Sequence, residues 1–162
     1  MDELFPLVDP TGKVIGKATR SECHSGSKLL HPVIHLHIFN AKGDLLLQKR
    51  SAQKDIQPGK WDTSVGGHVD FGETVEAALK REVEEELGVR DFIPEFIRMY
   101  VFESEIEKEL VHSYRTIYEG DFRFDPIEID AIEFWSLERI RQNLGQSVFT
   151  PNFEDEFRFL FQ

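Results

Sequence analysis

The sequence predicts an α/β fold in which a mixed β-sheet lies between helices. Three observations support this: strand-like apolar runs are frequent, one long helical segment interrupts them, and two shorter helical segments follow. This order fits a mixed sheet covered by helices better than a helical bundle or a β-sandwich. The length of 162 residues suits a single domain, which we take to span 1–162.

The N-terminal half is predicted to be mainly β-structure. Apolar residues flank the turn sequence 9–12, which predicts a hairpin. Residues 40–43 likewise connect two apolar runs into paired strands. In chain order we predict a hairpin over 4–18, a short helix within 19–25 capped by Thr19 or Ser21, strands over 32–39 and 44–50, a loop over 51–60 and a short strand over 61–65.

The clearest predicted element is a helix over residues 73–87. This segment contains no Gly or Pro, is rich in Glu, Ala, Leu and Arg, and is followed by Gly88 as a natural C-cap. At helical periodicity one of its faces is apolar, formed by Val75, Leu79, Val83 and Leu87. The rest of the chain is predicted to form strands over 92–102, 110–118 and 129–135 and helices over 137–143 and 152–161.

The charge balance restricts the class of partner. The chain carries 19 basic and 30 acidic side chains, which gives a formal net charge of −11. Such a surface argues against a broad electrostatic grip on nucleic acid. It also repels anionic small molecules, so a phosphate-containing substrate needs cations between itself and the protein.

Composition also predicts where the protein works. The sequence contains no uncharged apolar stretch approaching about 18 residues, so we expect no transmembrane helix and no membrane partner. The first residues lack a basic region, so we expect no secretory signal. The single cysteine, Cys23, excludes an intramolecular disulfide and a Cys-rich zinc site. These features predict a reducing, cytoplasmic location.

Acidic side chains lie beside the apolar stripe of the predicted helix. Glu82, Glu85 and Glu86 stand at i, i+3 and i+4, so their carboxylates converge. A solvated acidic face is the simplest interpretation, and it explains Glu76 and Glu84 well. It explains Glu82 and Glu86 poorly, because like charges at this spacing repel and both lie against the apolar side. A cation bound by oxygen ligands, Mg²⁺ or Mn²⁺, is the alternative.

Glycines precede this helix. Gly66 and Gly67 follow a predicted strand, and Gly72 comes just before the helix. A turn without side chains lets the backbone approach a metal or a phosphate closely. Arg81 can hold one of the glutamates in place through a bidentate pair.

Together these residues resemble the Nudix box of the Nudix hydrolase superfamily. Five residues separate Gly67 from Glu73, and seven more lead to Arg81-Glu82-Val83-Glu84-Glu85-Glu86-Leu87-Gly88-Val89, so the match spans 67–89. Every fixed position and both hydrophobic positions are present. The resemblance implies a single Nudix domain, an α/β/α sandwich with a mixed β-sheet. It also implies Mg²⁺- or Mn²⁺-dependent hydrolysis of a nucleoside diphosphate linked to another group.

The resemblance further implies a role for each residue of the box. It implies catalytic roles for Arg81, Glu82, Glu85 and Glu86, metal ligation by Glu82, Glu85, Glu86 and the Gly66 carbonyl, and orientation of these ligands by Arg81 and Glu73. The identity of the general base stays open. Glu82 is the first candidate, and a loop acid among Glu103, Glu105 and Glu107 is the second.

Outside the box the chain resembles one branch of this superfamily, type I isopentenyl-diphosphate isomerase and its hydrolase-like relatives. The residues that carry this resemblance are His24 and His31, Ile38-Phe39-Asn40-Ala41-Lys42-Gly43, Arg50, Lys54, Pro58-Gly59, Trp61, Gly67-His68 and Glu107-Lys108-Glu109. It implies a second metal site formed by His24, His31, His68, Glu107 and Glu109. Such a ligand set suits Mn²⁺, Zn²⁺ or Fe²⁺. Taken singly, each His is equally well explained as a surface or core residue, and the alternating glutamates as an exposed strand edge.

The same resemblance indicates how a small-molecule diphosphate substrate would be held. Arg50 and Lys54 match the basic residues that bind diphosphate in the isomerase, although solvated side chains are an equally good interpretation. The backbone at Gly67 allows close approach of a phosphate. Trp61 is a candidate to stack on a base, or a core residue.

One departure separates this chain from the isomerase. Gly66 stands where the isomerase has an acid–base Cys, and glycine cannot transfer a proton. We therefore expect hydrolysis of a small diphosphate, such as a nucleoside di- or triphosphate or a nucleotide conjugate. The alternatives are an isopentenyl-diphosphate isomerase and a non-catalytic nucleotide sensor. The family also makes a homodimer a candidate assembly.

Two further histidines have a simple interpretation. His35 and His37 alternate with apolar residues, which predicts one face of a buried strand. Cys23 is interpreted as a packed, unreactive side chain.

Overall fold

The computed structural model describes residues 2–54 and 56–161. Within these ranges no helix has the length and apolar character needed to cross a membrane. The strands are β1 (Leu4–Val8), β2 (Val14–Thr19), β3 (Leu30–Phe39), β4 (Leu45–Arg50), β5 (Trp61–Asp62), β6 (Val65–His68), β7 (Glu95–Glu103), β8 (Lys108–Ile117) and β9 (Ile129–Trp135). The helices are α1 (Arg20–Cys23), α2 (Val75–Leu87), α3 (Leu137–Asn143) and α4 (Pro151–Leu160).

Strand β3 is the centre of a seven-stranded mixed sheet. It runs parallel to β8 along its whole length and antiparallel to β6 on its other side. Beyond β6, the end of β3 pairs with β4, which also pairs with β5 and β9. Strand β7 pairs with β8, and the β1–β2 hairpin forms a separate small sheet. The predicted mixed sheet and N-terminal hairpin are thus confirmed.

The two faces of β3 pack against different helices, because successive side chains of a strand point to opposite faces. On one face, Ile34, Leu36 and Ile38 join Ala78, Leu79 and Val83 of α2 in one buried cluster. On the other face, Phe39 joins a cluster with Ile140 of α3 and Phe153 and Phe157 of α4. The predicted α/β/α arrangement is confirmed, and His35 and His37 lie buried on the α4 face.

Helix α2 begins two residues later than predicted. Thr74 has extended backbone (φ −77°, ψ 159°), and its hydroxyl accepts a hydrogen bond from the amide of Ala77. Glu73 lies before the helix, and its carboxylate accepts from the amide of Asp70 at 3.0 Å. Gly88 ends the helix at φ 68°, as the sequence predicts.

The single short strand predicted over 61–65 is wrong, because this segment forms parts of two strands. Residues 61–62 pair with β4, whereas β6 pairs with β3. Ser64 makes the transition between them: its hydroxyl accepts from the amide of Ile38 at 3.0 Å and donates to the carbonyl of Leu46. The other predicted helices and strands are present with shifts of no more than three residues at their ends.

Leu79→Ala tests how far α2 depends on the core beneath it. Leu79 is 1 % exposed, so we expect this substitution to lower the free energy of unfolding by about 2–5 kcal/mol, through lost burial and the cavity left behind. Urea denaturation measures the change. Lys80→Ala on the exposed side of the same helix is the control, and it should change stability by no more than about 0.5 kcal/mol. Equal effects of the two substitutions would contradict this packing.

Candidate functional site

A cavity of about 630 Å³ opens where β4, β6, β8 and the flank of α2 meet. Ten carboxylates line it, against four basic side chains, Arg20, Arg50, Lys54 and Arg81. A cavity with this excess of negative charge suits cations, or an anionic ligand that arrives with cations. Glu82, Glu85, Glu86 and Gly66 of the first predicted metal site border this space, and so do His68, Glu107 and Glu109 of the second. His24 and His31 are not among the described residues that line it.

Glu82 and Glu86 lie at the inner wall of the cavity, and Glu85 lies at its exposed rim. Gly67 is directly opposite Glu82: a Cβ atom at residue 67 would lie 2.3 Å from the Glu82 Cδ atom. No side chain fits there, so the glycine lets the β6 backbone and the Glu82 carboxylate share one space. This explains why Gly67 is needed whether or not it contacts a substrate.

Arg81 fixes these carboxylates. Its guanidinium donates to both oxygens of Glu73 at 2.8 and 3.0 Å, and to Glu82 at 2.8 Å. It also donates to the carbonyl of His68 at 3.0 Å, which ties α2 to the end of β6. The hydrogen bonds to Glu73 raise the pKa of Arg81 above its ordinary value.

The inner carboxylates have perturbed acidities. Burial raises the pKa of Glu82 despite its bond to Arg81. Burial also raises the pKa of Glu86 well above its ordinary value; the Gln48 amide, which donates at 3.0 Å, opposes this and the charge of Glu82 adds to it. Two neighbouring buried carboxylates whose pKa values are both raised form a site at which a divalent cation would stabilise the charged forms.

A second cluster lies at the other end of the cavity. Ligand atoms of His24, His31, His68 and Glu107 all fall within 4.8 Å of one another. The Nε2 atoms of the three histidines are buried without a hydrogen-bond partner among the described residues. Glu109 completes the predicted set, with a carboxylate oxygen 3.9 Å from the Nε2 of His68. The structure therefore brings together all five residues that the sequence proposed for this site.

Neighbouring groups fix the imidazole rings, and the Nε2 atom of His24 lies 2.8 Å from a carboxylate oxygen of Glu107. The Nδ1 of His31 contacts the carbonyl of Leu29 at 2.9 Å, and only a protonated Nδ1 can bond to that acceptor. Phe5 stacks on His68 with ring centroids 4.5 Å apart and lies 5.7 Å from the His31 ring. The β1–β2 hairpin, which carries Phe5, thus supports this end of the cavity.

The acidities of this cluster also fit a cation. Burial lowers the pKa of His24 and His31, and burial and the charge of His31 lower that of His68 to about 3. The imidazoles are thus neutral near pH 7 and offer lone pairs. Burial and the charge of Glu107 raise the pKa of Glu109 to about 8. Neutral imidazoles beside buried carboxylates whose pKa is raised form a set of ligands suited to a divalent metal.

The predicted substrate-binding residues are not all brought to the cavity. Arg50 and Lys54 line it and pair with Asp62, at 3.5 Å, and with Glu128. Trp61 is placed elsewhere. It is half-buried and packs on Trp135 at 5.3 Å between centroids, against the cluster beneath α3 and α4.

A buried charged network on the α4 face was not predicted. Glu156 is 1 % exposed and contacts Nδ1 of His35 at 2.6 Å, together with His37, Tyr100 and Ser113. Two sequence signals point to it in retrospect. The paired histidines of a buried strand need a counter-charge, and Glu156 lies in the apolar stripe of α4.

Comparisons with known proteins agree with this geometry. The NUDIX domain family profile matches residues 29–153. Isopentenyl-diphosphate Delta-isomerase 2 of Photorhabdus laumondii is 32% identical over 95% of this chain and 90% of its own length. An uncharacterized Nudix hydrolase of Yersinia pestis is 29% identical over 93% of this chain and 81% of its own length. The crystal structure of DR0079 from Deinococcus radiodurans covers 99% of this chain and 100% of its own with a TM-score of 0.84; at 24% identity it shows the fold alone.

The buried network predicts a pH dependence of stability. Burial lowers the pKa of His35, but the Glu156 carboxylate outweighs it and raises the pKa to about 9. The stabilising contribution of His35 is therefore complete below its ordinary pKa of 6.5 and is lost as the pH rises through about 9. Between these values we expect the wild type to lose about 1–3 kcal/mol more stability than Glu156→Gln. Urea denaturation in EDTA at a series of pH values measures this, and parallel curves would contradict the assignment.

Proposed function

This chain belongs to the NUDIX domain family, and we propose that it is a pyrophosphohydrolase that cleaves a small diphosphate compound with Mg²⁺ or Mn²⁺. The substrate would be a nucleoside di- or triphosphate or a nucleotide conjugate. The observation that carries this proposal is the complete set of box carboxylates at the wall of a cavity, held by Arg81 and, for Glu86, by Gln48. A protein that only binds a nucleotide has no need of this full set.

Two groups of residues are suited to hold divalent cations. The raised pKa values of Glu82 and Glu86 support a site at the box, with Glu85 and the Gly66 carbonyl as further ligands. The buried Nε2 atoms of His24, His31 and His68 have no hydrogen-bond partner among the described residues, which supports a second site for Mn²⁺, Zn²⁺ or Fe²⁺. When bound, the cations would neutralise the diphosphate and lower the pKa of water.

The side chains of the chain divide the remaining tasks. Arg81 orients Glu82 and Glu85, and Gln48 orients Glu86. Glu82, whose pKa is raised, is our first candidate to accept the proton of the attacking water. Of the loop acids, Glu107 lines the cavity but belongs to the histidine cluster.

The basic residues bind the substrate in this proposal. Arg50 and Lys54 lie on the cavity wall, where each is paired with a carboxylate. Phosphate oxygens can take the place of these partners without moving the basic groups far. The contacts would anchor the diphosphate between the two metal sites, with its scissile bond toward the box.

Glu86→Gln tests the hydrolysis. We expect the wild type, with Mg²⁺ or Mn²⁺, to hydrolyse a phosphoanhydride bond in at least one member of a panel of nucleoside diphosphates, nucleoside triphosphates, nucleotide sugars and isopentenyl diphosphate. Chromatography of the products, which are phosphate, pyrophosphate or a nucleoside monophosphate according to the substrate, measures this. Loss of a charged ligand should reduce kcat/KM by about 10³-fold or more. Glu84→Gln is the matched control, because Glu84 is exposed and pairs with Arg90 at 2.9 Å. An equal loss in both variants would contradict a special role for Glu86.

His31→Ala tests the second metal site. We expect the wild type, dialysed against Mn²⁺ or Zn²⁺, to retain about one ion per chain more than this variant, because His31 offers one of the orphaned nitrogens. Elemental analysis measures the ion content. His112→Ala, on the face of β8 toward α2 and outside the cluster, should leave the content unchanged. An identical ion content of the wild type and His31→Ala would exclude a metal at this cluster.

The isomerase is the second candidate, favoured by the histidine cluster and by relatives that are named isopentenyl-diphosphate Delta-isomerase. Against it, Gly66 has no side chain and the one cysteine, Cys23, is buried with Phe5 and Ala18. Deuterium incorporation into isopentenyl diphosphate without phosphate release would favour the isomerase. Nucleotide binding without turnover or exchange would favour a sensor.

A further inference from the structure

The hydrolysis proposed above makes no use of Glu156, the most heavily bonded carboxylate of the α4 face. Its side chain is fully buried and is shared by His35, His37, Tyr100 and Ser113. Burying so many polar groups is costly, and apolar residues of similar volume often stabilise a core as well or better. The network therefore invites a functional explanation in addition to a structural one.

The network reaches the cavity at one residue. Among the four partners of Glu156, His35 lines the cavity, whereas His37, Tyr100 and Ser113 are not among the described residues that border it. His35 stands next to Gly66 in the register of β3 and β6. The buried pair of His35 and Glu156, on the α4 face of the sheet, thus reaches the space between the two predicted metal sites.

The orientation of the His35 ring is fixed. Nδ1 faces Glu156 at 2.6 Å, so the opposite edge of the ring faces Gly66. A Cβ atom at residue 66 would lie 3.3 Å from Cδ2 and 3.7 Å from Nε2 of His35. Because residue 66 is glycine, this edge of the imidazole stays uncovered beside the β6 backbone.

We propose that His35 is a substrate-binding residue of this cavity, with its Nε2–H donating to an anionic oxygen of the diphosphate, and that Glu156 is its positioning residue. The ligand assumed here rests on the proposed function. Charge supports the assignment, because carboxylates outnumber basic groups in the cavity and Arg50 and Lys54 are already paired. The Nδ1 atom donates to the buried Glu156 carboxylate at 2.6 Å, the short distance of a charge-assisted hydrogen bond, so this ion pair holds the ring as an imidazolium whose Nε2 also carries a proton.

The chain offers a matched control in His37. Both histidines are buried on the same face of β3 and both bond to Glu156, but only His35 borders the cavity. His35→Phe and His37→Phe each remove one partner of Glu156 and keep an aromatic ring. Loss of the buried pair affects the stability of both variants, whereas loss of a substrate contact affects only the first.

The experiment measures kcat and KM for the best diphosphate of the panel, and calorimetric binding of inorganic pyrophosphate with Mg²⁺. For His35→Phe we expect KM and the pyrophosphate Kd to rise by about 10- to 100-fold, the range for losing a hydrogen bond to a charged group. His37→Phe should stay within about threefold of the wild type. His35→Gln, which keeps an N–H donor, should recover part of the loss, and Glu156→Gln should raise KM because the ring loses its anchor.

A spectroscopic readout on the wild type covers the case in which a variant fails to fold. Long-range ¹H–¹⁵N spectra resolve the imidazole nitrogens, and the His35 signals are assigned from His35→Gln. We expect the Nε2 signal of His35 to shift on addition of pyrophosphate with Mg²⁺, while that of His37 stays in place.

The outcomes separate this inference from the proposed function. If the wild type binds and cleaves a diphosphate, but His35→Phe matches His37→Phe and the His35 signal does not move, the inference is overturned and the hydrolase stands. If the wild type neither binds pyrophosphate nor cleaves any panel member, the proposed function is wrong. The inference about His35 is then wrong as well, because it assumes the same diphosphate ligand.

Discussion

The Arg81 guanidinium is the contact on which the geometry of the box depends. It bonds to Glu73 before α2, to Glu82 on α2 and to the carbonyl of His68 at the end of β6. One planar group thus fixes a helix, the loop before it and a strand relative to one another. Because His68 also belongs to the histidine cluster, the same contact sets the position of the box relative to the second candidate metal site.

Negative charge is the second constraint. The cavity gathers carboxylates whose pKa values burial has raised, and the few basic groups within it are paired with some of them. Such an arrangement costs stability unless cations or protons offset it. The cations of the proposed function would offset this cost, and a diphosphate carried by them would need no further basic residues.

Strand β3 relates the two faces of the molecule. Its apolar residues build the core beneath α2, while His35 and His37 meet Glu156 of α4 on the opposite face. At residue 66 the chain differs from what the isomerase resemblance implies, because glycine replaces a reactive side chain. The neighbouring imidazole of His35 borders the place that such a side chain would occupy.

The sequence alone determined the features that local patterns encode. The spacing from Gly67 to Val89 predicted the helix, its glycine cap and the converging carboxylates, because helical periodicity places i, i+3 and i+4 side chains on one face. Contacts between distant segments were decided only by the tertiary structure. Trp61 packs against the cluster beneath α3 and α4 because β5 lies beside Trp135. Glu156 is the counter-charge of His35, 121 positions away, because α4 packs on that face of β3. No local pattern encodes which helix covers which strand, since that choice is made by the packing of the whole sheet.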